Sequence, residues 1–366
     1  MAPPASLPTK PLSRTGRQIP ALGFGLMGLS AVYGPVEYIS RSICSQTHNS
    51  VHTDTHFPSN DEERLAVLDR AWELGYTNWD TANAYGDSEV LIGKWFKLHP
   101  ERRADIFLAT KFGLRAGVNE KGEWKMWADN SPEFFNECLK GSLQKMGVDY
   151  VDLYYAHRLD TKVPVEKTME LMAKAKQDGK IKAIGISECA ASNIRRAYAV
   201  VPVDAIQVEY NPFTLDIEKQ NILSTCRELG ITIFAYSPLG RGFLTGQIKS
   251  SDDFAPDDLR RMLPRFSPEN FSKNLVLVER LKTLADKKGC TSGQLVLAWL
   301  SAQGEDIIPI PGTKKIKYME ENVGSLKVQL SKEEIQNIRD EVEKAEVAGH
   351  RNPPGLFNEY SVTVEL

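Results

Sequence analysis

Cysteine is sparse in this 366-residue sequence: Cys44, Cys138, Cys189, Cys226 and Cys290 only. The five are scattered, odd in number and never spaced Cys-x-x-Cys, so no disulfide framework is spelled out. Free thiols in a reducing, cytoplasmic compartment are the expectation. No apolar run reaches the roughly 18 residues of a membrane span. The opening Met1-Ala-Pro-Pro-Ala-Ser-Leu-Pro lacks the basic and apolar regions of a secretory leader. Basic charge is not in excess either. Lys and Arg number 45 against 48 Asp and Glu, a net charge of −3, which argues against a general nucleic-acid binder. A 42% hydrophobic content excludes disorder throughout.

What is present is a rhythm of short apolar runs and longer amphipathic stretches. Strands are expected over 22–27, 77–81, 106–112, 151–157, 181–186, 205–210, 231–236 and 307–310. Helices are expected over 65–74, 88–96, 132–146, 165–177, 192–200, 217–229, 273–288, 292–302, 316–323 and 332–345. Ser131-Pro132 marks a helix start, an N-cap followed by Pro at the first position. Eight strands, each followed by helical sequence, predict an α/β fold with a parallel sheet. With no interdomain linker between them, they fit a single closed (β/α)8 barrel over residues 1–366, with its core at about 20–345 and an extra C-terminal helix.

Three segments break the rhythm. Residues 10–20, with Thr15-Gly16 between extended pieces, read as an N-terminal β-hairpin placed to plug the barrel bottom. Residues 240–270 read as a long loop after the seventh strand, a common place for an active-site cover. Residues 37–60 are polar and poor in pattern, and read as a poorly ordered insertion.

Gly23-Phe-Gly25-Leu-Met-Gly28 matches the Gly-x-Gly-x-x-Gly of dinucleotide folds, but that motif must open a helix. The Gly34-Pro35 that follows opposes one, so the glycines read instead as a strand end that comes close to something flat. The informative positions lie at three other strand ends. Asp80 ends the second strand with Tyr85 in the loop beyond it, Lys111 ends the third, and His157 ends the fourth. A capping Asp, a solvated Lys or a satisfied buried His is the ordinary explanation of each alone. Together they place four reactive groups at the C-terminal face, where barrel active sites are built.

These stretches resemble the aldo-keto reductase superfamily. The matching segments are Gly75-Tyr-Thr-Asn-Trp-Asp-Thr-Ala-Asn-Ala-Tyr-Gly, Ala109-Thr-Lys, Tyr150-Val-Asp-Leu-Tyr-Tyr-Ala-His, Gly185-Ile-Ser, Ile206-Gln-Val-Glu-Tyr-Asn, Tyr236-Ser-Pro-Leu-Gly-Arg-Gly, and Pro309-Ile-Pro-Gly-Thr-Lys with Glu321-Asn322. They keep the family's order over about residues 20 to 345, in the style of its fungal and plant NADP-dependent branch.

The resemblance implies a catalytic tetrad of Tyr85, Asp80, Lys111 and His157. Tyr85 would protonate the carbonyl oxygen, its acidity raised by Lys111. Asp80 would hold Lys111 charged, and His157 would donate a hydrogen bond to the oxygen. It also implies an NADP(H) site. Ser187 and Gln207 would hold the carboxamide, and Tyr236 would stack on the nicotinamide. Ser237, Leu239 and Arg241 would begin the pyrophosphate cover. Gly312, Thr313 and Lys314 would lie at the adenosine phosphate, with Tyr318, Glu321 and Asn322 beyond and Gly25, Met27 and Asp80 completing the set. Lys314, Lys315 and Lys317 favour a 2′-phosphate, hence NADP over NAD. Two positions depart from the family: Glu188 stands where Asn often follows the serine, and Tyr318 stands where many members have arginine.

Cys44, His48, His52 and His56 recur every four residues, a spacing that would stack metal ligands on a helix. The segment lacks an apolar face, however, and no metal is expected. A lineage insertion or a retained intron accounts for it. The expected activity is reduction of a small-molecule aldehyde or ketone, with neither nucleic acid nor membrane as partner and the oligomeric state open. A nicotinamide-binding sensor subunit and a Schiff-base lyase using Lys111 are the rival readings. Substrate choice would lie in the loops over 27–60, 113–130 and 240–270 and in the tail over 349–366, where Trp124 and Trp127 suggest an apolar wall.

Overall fold

In a strand, successive side chains face opposite ways. Phe107–Phe112 and Val151–Ala156 are buried at every position, the mark of parallel strands covered on both faces. The computed structural model describes residues 4–30, 60–118, 124–256, 258–353 and 360–366.

The chain opens with an antiparallel hairpin, β1 (Thr9–Leu12) and β2 (Arg17–Pro20). The parallel strands follow: β3 (Phe24–Gly25), β4 (Asn78–Asp80) and β5 (Phe107–Phe112). A second hairpin, β6 (Leu114–Val118) with β7 (Trp124–Ala128), precedes β8 (Val151–Ala156), β9 (Ile181–Ser187), β10 (Ala205–Glu209), β11 (Thr232–Tyr236) and β12 (Ile307–Pro309). The helices are α1 (Met27–Ser30), α2 (Asp61–Glu73), α3 (Ser88–Leu98), α4 (Pro132–Met146), α5 (Val165–Gln177), α6 (Ala191–Val200), α7 (Asp216–Lys219), α8 (Ile222–Leu229), α9 (Pro268–Lys288), α10 (Ser292–Ser301), α11 (Ile316–Gly324) and α12 (Lys332–Glu343).

The eight parallel strands pair in sequence order from β3 to β12. The ring closes where Gly23 N donates to Pro309 O at 2.8 Å and Gly25 bridges Gly312. A Cβ on Gly312 would lie 2.6 Å from the Gly25 carbonyl oxygen, so the seam admits only glycine there. The Gly-x-Gly pair is thus explained by β12, the neighbour that comes close. The sheet is a (β/α)8 barrel with an N-terminal hairpin, as the alternation implies.

Period-two alternation divides the core in two. Phe107, Ala109, Leu153, Ala183, Ala205, Phe234 and Ile308 cluster inside the ring. Leu108, Tyr154, Ile184, Ile206 and Ile233 belong to the larger cluster against the helices. Leu12 and Ile19 of the hairpin join the inner cluster at the bottom. Lys10 Nζ donates to the carbonyls of Ser301, Gly304 and Ile307 at 2.9–3.0 Å, and Arg17 pairs with Asp152 at 2.7 Å. The hairpin therefore plugs the barrel bottom.

Several boundaries differ from expectation. The first strand ends at Gly25 rather than residue 27, because Met27 starts one turn of helix. The helix expected over 217–229 is two, broken where Asn221 takes φ 59°. Helix α9 starts at Pro268, not residue 273: Ser267 caps it and Pro268 follows, the same Ser-Pro signal as at Ser131. Three further 3₁₀ turns follow Gly240–Thr245 in the segment expected as plain loop. The hairpin of β6 and β7 was expected as loop too. Residues 37–59, with Cys44, His48, His52 and His56, lie outside the described residues.

Candidate active site

The inner-facing positions run upward in steps of two, and six of the series end in a polar group. Asn78 is followed by Asp80; Phe107 and Ala109 by Lys111; Leu153 and Tyr155 by His157. Ala183 and Gly185 lead to Ser187, Ala205 to Gln207 and Glu209, and Phe234 to Tyr236. The apolar lower layers pack the core, and the last layer builds the site at the C-terminal face.

Lys111 is fully buried and forms an ion pair with Asp80; its Nζ also donates to the Thr81 carbonyl at 2.8 Å. Gln207 Nε2 donates to the other Asp80 oxygen at 2.7 Å. The carboxylate thus has a partner on each oxygen. Tyr85 sits in the turn after β4, half-buried, its ring centre 4.9 Å from Lys111 Nζ. Its hydroxyl lies 3.5 Å from His157 Nε2, with the two rings nearly perpendicular.

The electrostatics follow from burial and from Lys111. Burial pushes the Lys111 ammonium down, but Asp80 and Tyr85 bring it above its ordinary value. Burial pushes the Tyr85 phenol up; Lys111 pulls it down without cancelling the rise. The pull of Lys111 on the phenol has the expected direction, and burial outweighs it. Burial and then the cations Lys111 and Arg158 hold His157 well below its ordinary value, so the imidazole is neutral. Its Nδ1 has no partner among the described residues. A proton on Nε2 leaves only an unpaired acceptor there and aims the N–H at the Tyr85 hydroxyl.

The remaining expected residues fall in three places. Ser187 is buried at the end of β9. Gln207 reaches the site, but its amide nitrogen is taken by Asp80. Gly25 lies in the closure seam with Gly312, and Met27 begins the turn above it. Ser237 (φ 47°) and Arg241 (φ 56°) adopt left-handed backbone, an arrangement that persists only where the surroundings enforce it. Arg241 does not point outward: it donates to Glu209 at 3.0 Å and to the Arg351 carbonyl at 2.8 Å.

Further along, Thr313 Oγ1 accepts from Lys315 N just before α11. Lys314 and Lys317 are exposed and make no ion pair among the described residues, whereas Lys315 Nζ lies 5.7 Å from the Tyr318 ring centre. The Tyr318 hydroxyl donates to Gln247 at 2.8 Å, joining α11 to the loop after β11. Leu239 packs against the core. Glu321 accepts from Thr291, the cap of α10, at 2.6 Å, and Asn322 is buried. These last two hold the frame.

Glu188, one of the two departures from the family, forms a two-pronged pair with Arg351 at 2.6 and 3.0 Å. Glu209, Arg265, Arg158 and Arg351 were not singled out from the sequence. Inner-facing parity from Ala205 through Gln207 could have flagged Glu209; nothing local flags Arg351.

The family described as "Aldo/keto reductase family" matches residues 50–343. The aldo-keto reductase yakc [NADP(+)] of Schizosaccharomyces pombe is 48% identical over 354 residues, covering 96% of each chain. The aldo-keto reductase str7 of Strobilurus tenacellus is 47% identical, covering 94% of this chain and 95% of its own. Among solved structures, the glycerol dehydrogenase AKR11B4 of Gluconobacter oxydans superposes with a TM-score of 0.75 at 25% identity, over 96% of this chain and 99% of that one.

Proposed function

This chain belongs to the aldo/keto reductase family, a family of oxidoreductases, and from that premise we propose that it reduces a small aldehyde or ketone to the alcohol with NADPH, Tyr85 acting as general acid. The observation that carries the reading is the convergence of Tyr85, Lys111, Asp80 and His157 on one point of the barrel mouth.

The residues at the mouth suit a dinucleotide. Ser187, the amide oxygen of Gln207 and the Tyr236 ring would hold the nicotinamide end. The loop from Ser237 through Leu239 to Arg241 would lie along the pyrophosphate. Gly312, Thr313 and Lys314 would hold the adenosine phosphate. Exposed Lys314 and Lys317, with no ion-pair partner among the described residues, suit a 2′-phosphate. The bound cofactor supplies a hydride to the carbonyl carbon.

The chain's own groups handle the oxygen. The His157 N–H binds it and stabilises the negative charge that develops there. Tyr85 delivers the proton that completes the alcohol. Lys111 stabilises the phenolate left behind, and Asp80 keeps Lys111 charged and in place. The same pairing argues against the lyase reading, because a lysine held as ammonium is not a nucleophile.

No described helix is long and apolar enough to cross a membrane, and the described cysteines are free, which fits a reducing compartment. The test is loss of NADPH absorbance with a panel of aromatic and aliphatic aldehydes and ketones. Native protein is expected to turn over. Tyr85→Phe is expected to bind NADPH with native affinity and reduce nothing. Turnover by that variant overturns the role of Tyr85, and tight NADPH binding without turnover by native protein favours the sensor reading. Tighter binding of NADH than NADPH would overturn the cofactor preference.

A further inference from the structure

Five charged side chains that take no part in the proposed proton and hydride transfers lie together beneath the mouth of the barrel. Glu188 follows β9 and Glu209 ends β10. Arg241 lies in the loop after β11, Arg265 in the turn before α9, and Arg351 in the C-terminal segment. Arg351 is 2% exposed. Its two terminal nitrogens grip the two oxygens of Glu188 at 2.6 and 3.0 Å, and one of them stands 3.6 Å from Glu209. Arg241 pairs with the same Glu209 oxygen at 3.0 Å, and Arg265 lies 3.7 Å from the other.

Stability alone does not call for such a cluster, since apolar side chains of similar volume fill a buried site as well or better. The geometry gives it a different use. The nitrogen of Arg351 that meets Glu188 at 3.0 Å also donates to the Tyr236 hydroxyl at 3.1 Å. A tyrosine at the end of a strand is fixed at its backbone; here its far end is fixed too. The guanidinium is planar, and its two-pronged grip on Glu188 leaves it one orientation. The ring of Tyr236 inherits that orientation.

The same short stretch also holds the loop. The Arg351 carbonyl accepts from Arg241 at 2.8 Å. Glu188 (φ 53°) and Arg241 (φ 56°) both sit in left-handed backbone where the cluster meets the chain. Before Arg351, Ala348 N donates to Asn274 at 2.8 Å; beyond it, Ser361 bridges Cys189 and Thr363 hydrogen-bonds Asn193 and Arg196, so described residues on both sides of the contact are docked.

We propose that Arg351 is a positioning residue for the cofactor: it orients Tyr236 as the platform for the nicotinamide and ties the loop at Arg241 to that platform, coupling the docked C-terminal segment to cofactor retention. The proposal rests on Tyr236 being the nicotinamide platform, as read above.

The test measures the NADPH dissociation rate and Kd by stopped-flow fluorescence in the full chain. The set is native protein, Arg351→Met, Arg351→Lys, Tyr236→Phe and the Tyr236→Phe/Arg351→Met double variant, with melting curves alongside. Arg351→Met is expected to speed dissociation by about ten- to a hundredfold, the range for losing a charge-assisted hydrogen bond. Arg351→Lys, which keeps the charge without the fork, should fall between. On the Tyr236→Phe background, Arg351→Met should change the rate much less, because the shared bond is already gone.

The same factor on both backgrounds would overturn the proposal, since a merely structural role loosens both alike. So would native rates in Arg351→Met. If Arg351→Met does not fold, Arg351→Lys and Tyr236→Phe decide: faster NADPH release in both supports the proposal, and native rates in both overturn it. Native protein that binds no NADPH would bring down the cofactor reading and this proposal together. Native binding with unaltered variants would bring down this proposal alone.

Discussion

Replacing Lys111 by methionine separates what this residue does for chemistry from what it does for folding. The side chain is fully buried, with Asp80 as its ionic partner and the Tyr85 ring centre 4.9 Å from its ammonium. A unit charge pair at that distance, in an effective dielectric of about 20, interacts by about 3 kcal/mol. If that stabilisation bears fully on the phenolate formed as the proton leaves, its loss slows turnover by about two orders of magnitude.

The single variant also strands the Asp80 carboxylate, and breaking a buried pair on one side costs about 3–5 kcal/mol. The decisive protein is therefore Asp80→Asn/Lys111→Met, which removes both charges and leaves Gln207 a partner. It should melt much closer to native protein than Lys111→Met does, while its kcat for carbonyl reduction stays about a hundredfold down. Its alkaline limb should move to higher pH. Burial already raises the Tyr85 phenol, and without Lys111 only the smaller pull of Arg158 opposes it, so the acid stays protonated longer but gives its proton less readily. A double variant with native kcat would refute the assignment of Lys111 as the group that stabilises the Tyr85 anion.

Two further outcomes follow from groups outside the tetrad. Lys10→Met removes the cation that gathers three carbonyls at the barrel bottom, and should cost about 3 kcal/mol in urea unfolding while leaving NADPH affinity unchanged; an unchanged midpoint would show that the plug adds nothing. Stability should fall on acidification. His157 is held well below 6.5, so below that pH the unfolded chain takes up a proton that the folded chain refuses. Glu188 and Glu209 are buried, yet their arginines hold both below 4.5. Their contribution is complete above that value and is lost as pH falls through the lowered folded values. Urea midpoints across this range check the sign, and a level or rising stability would contradict it.

Most of the candidate site could be read from the chain because strand geometry is local. Once Phe107 and Ala109 face inward, Lys111 must as well, and the same parity carries Leu153 to His157 and Ala205 to Gln207. Helix starts were legible where a cap and a proline stand together, as at Ser131-Pro132. The equal signal at Ser267-Pro268 was hidden by the loop expected around it. The break at Asn221 was less legible, since an asparagine tolerates both helix and left-handed backbone.

Sequence alone therefore determined the alternation of strands and helices, the inward series and the three groups Asp80, Lys111 and His157 at its upper end, because each depends on spacing of two or 3.6 residues. Tertiary structure decided the rest. It alone showed that Gly25 and Gly312 close the ring, that Gln207 is shared with Asp80, and that Arg241 turns inward. It alone brought Arg351 to Glu188, separated by 163 positions in the chain. Such a contact has no period and no motif: a buried charge is placed by whichever opposite charge the fold delivers, and that is settled only when the whole barrel has closed around it.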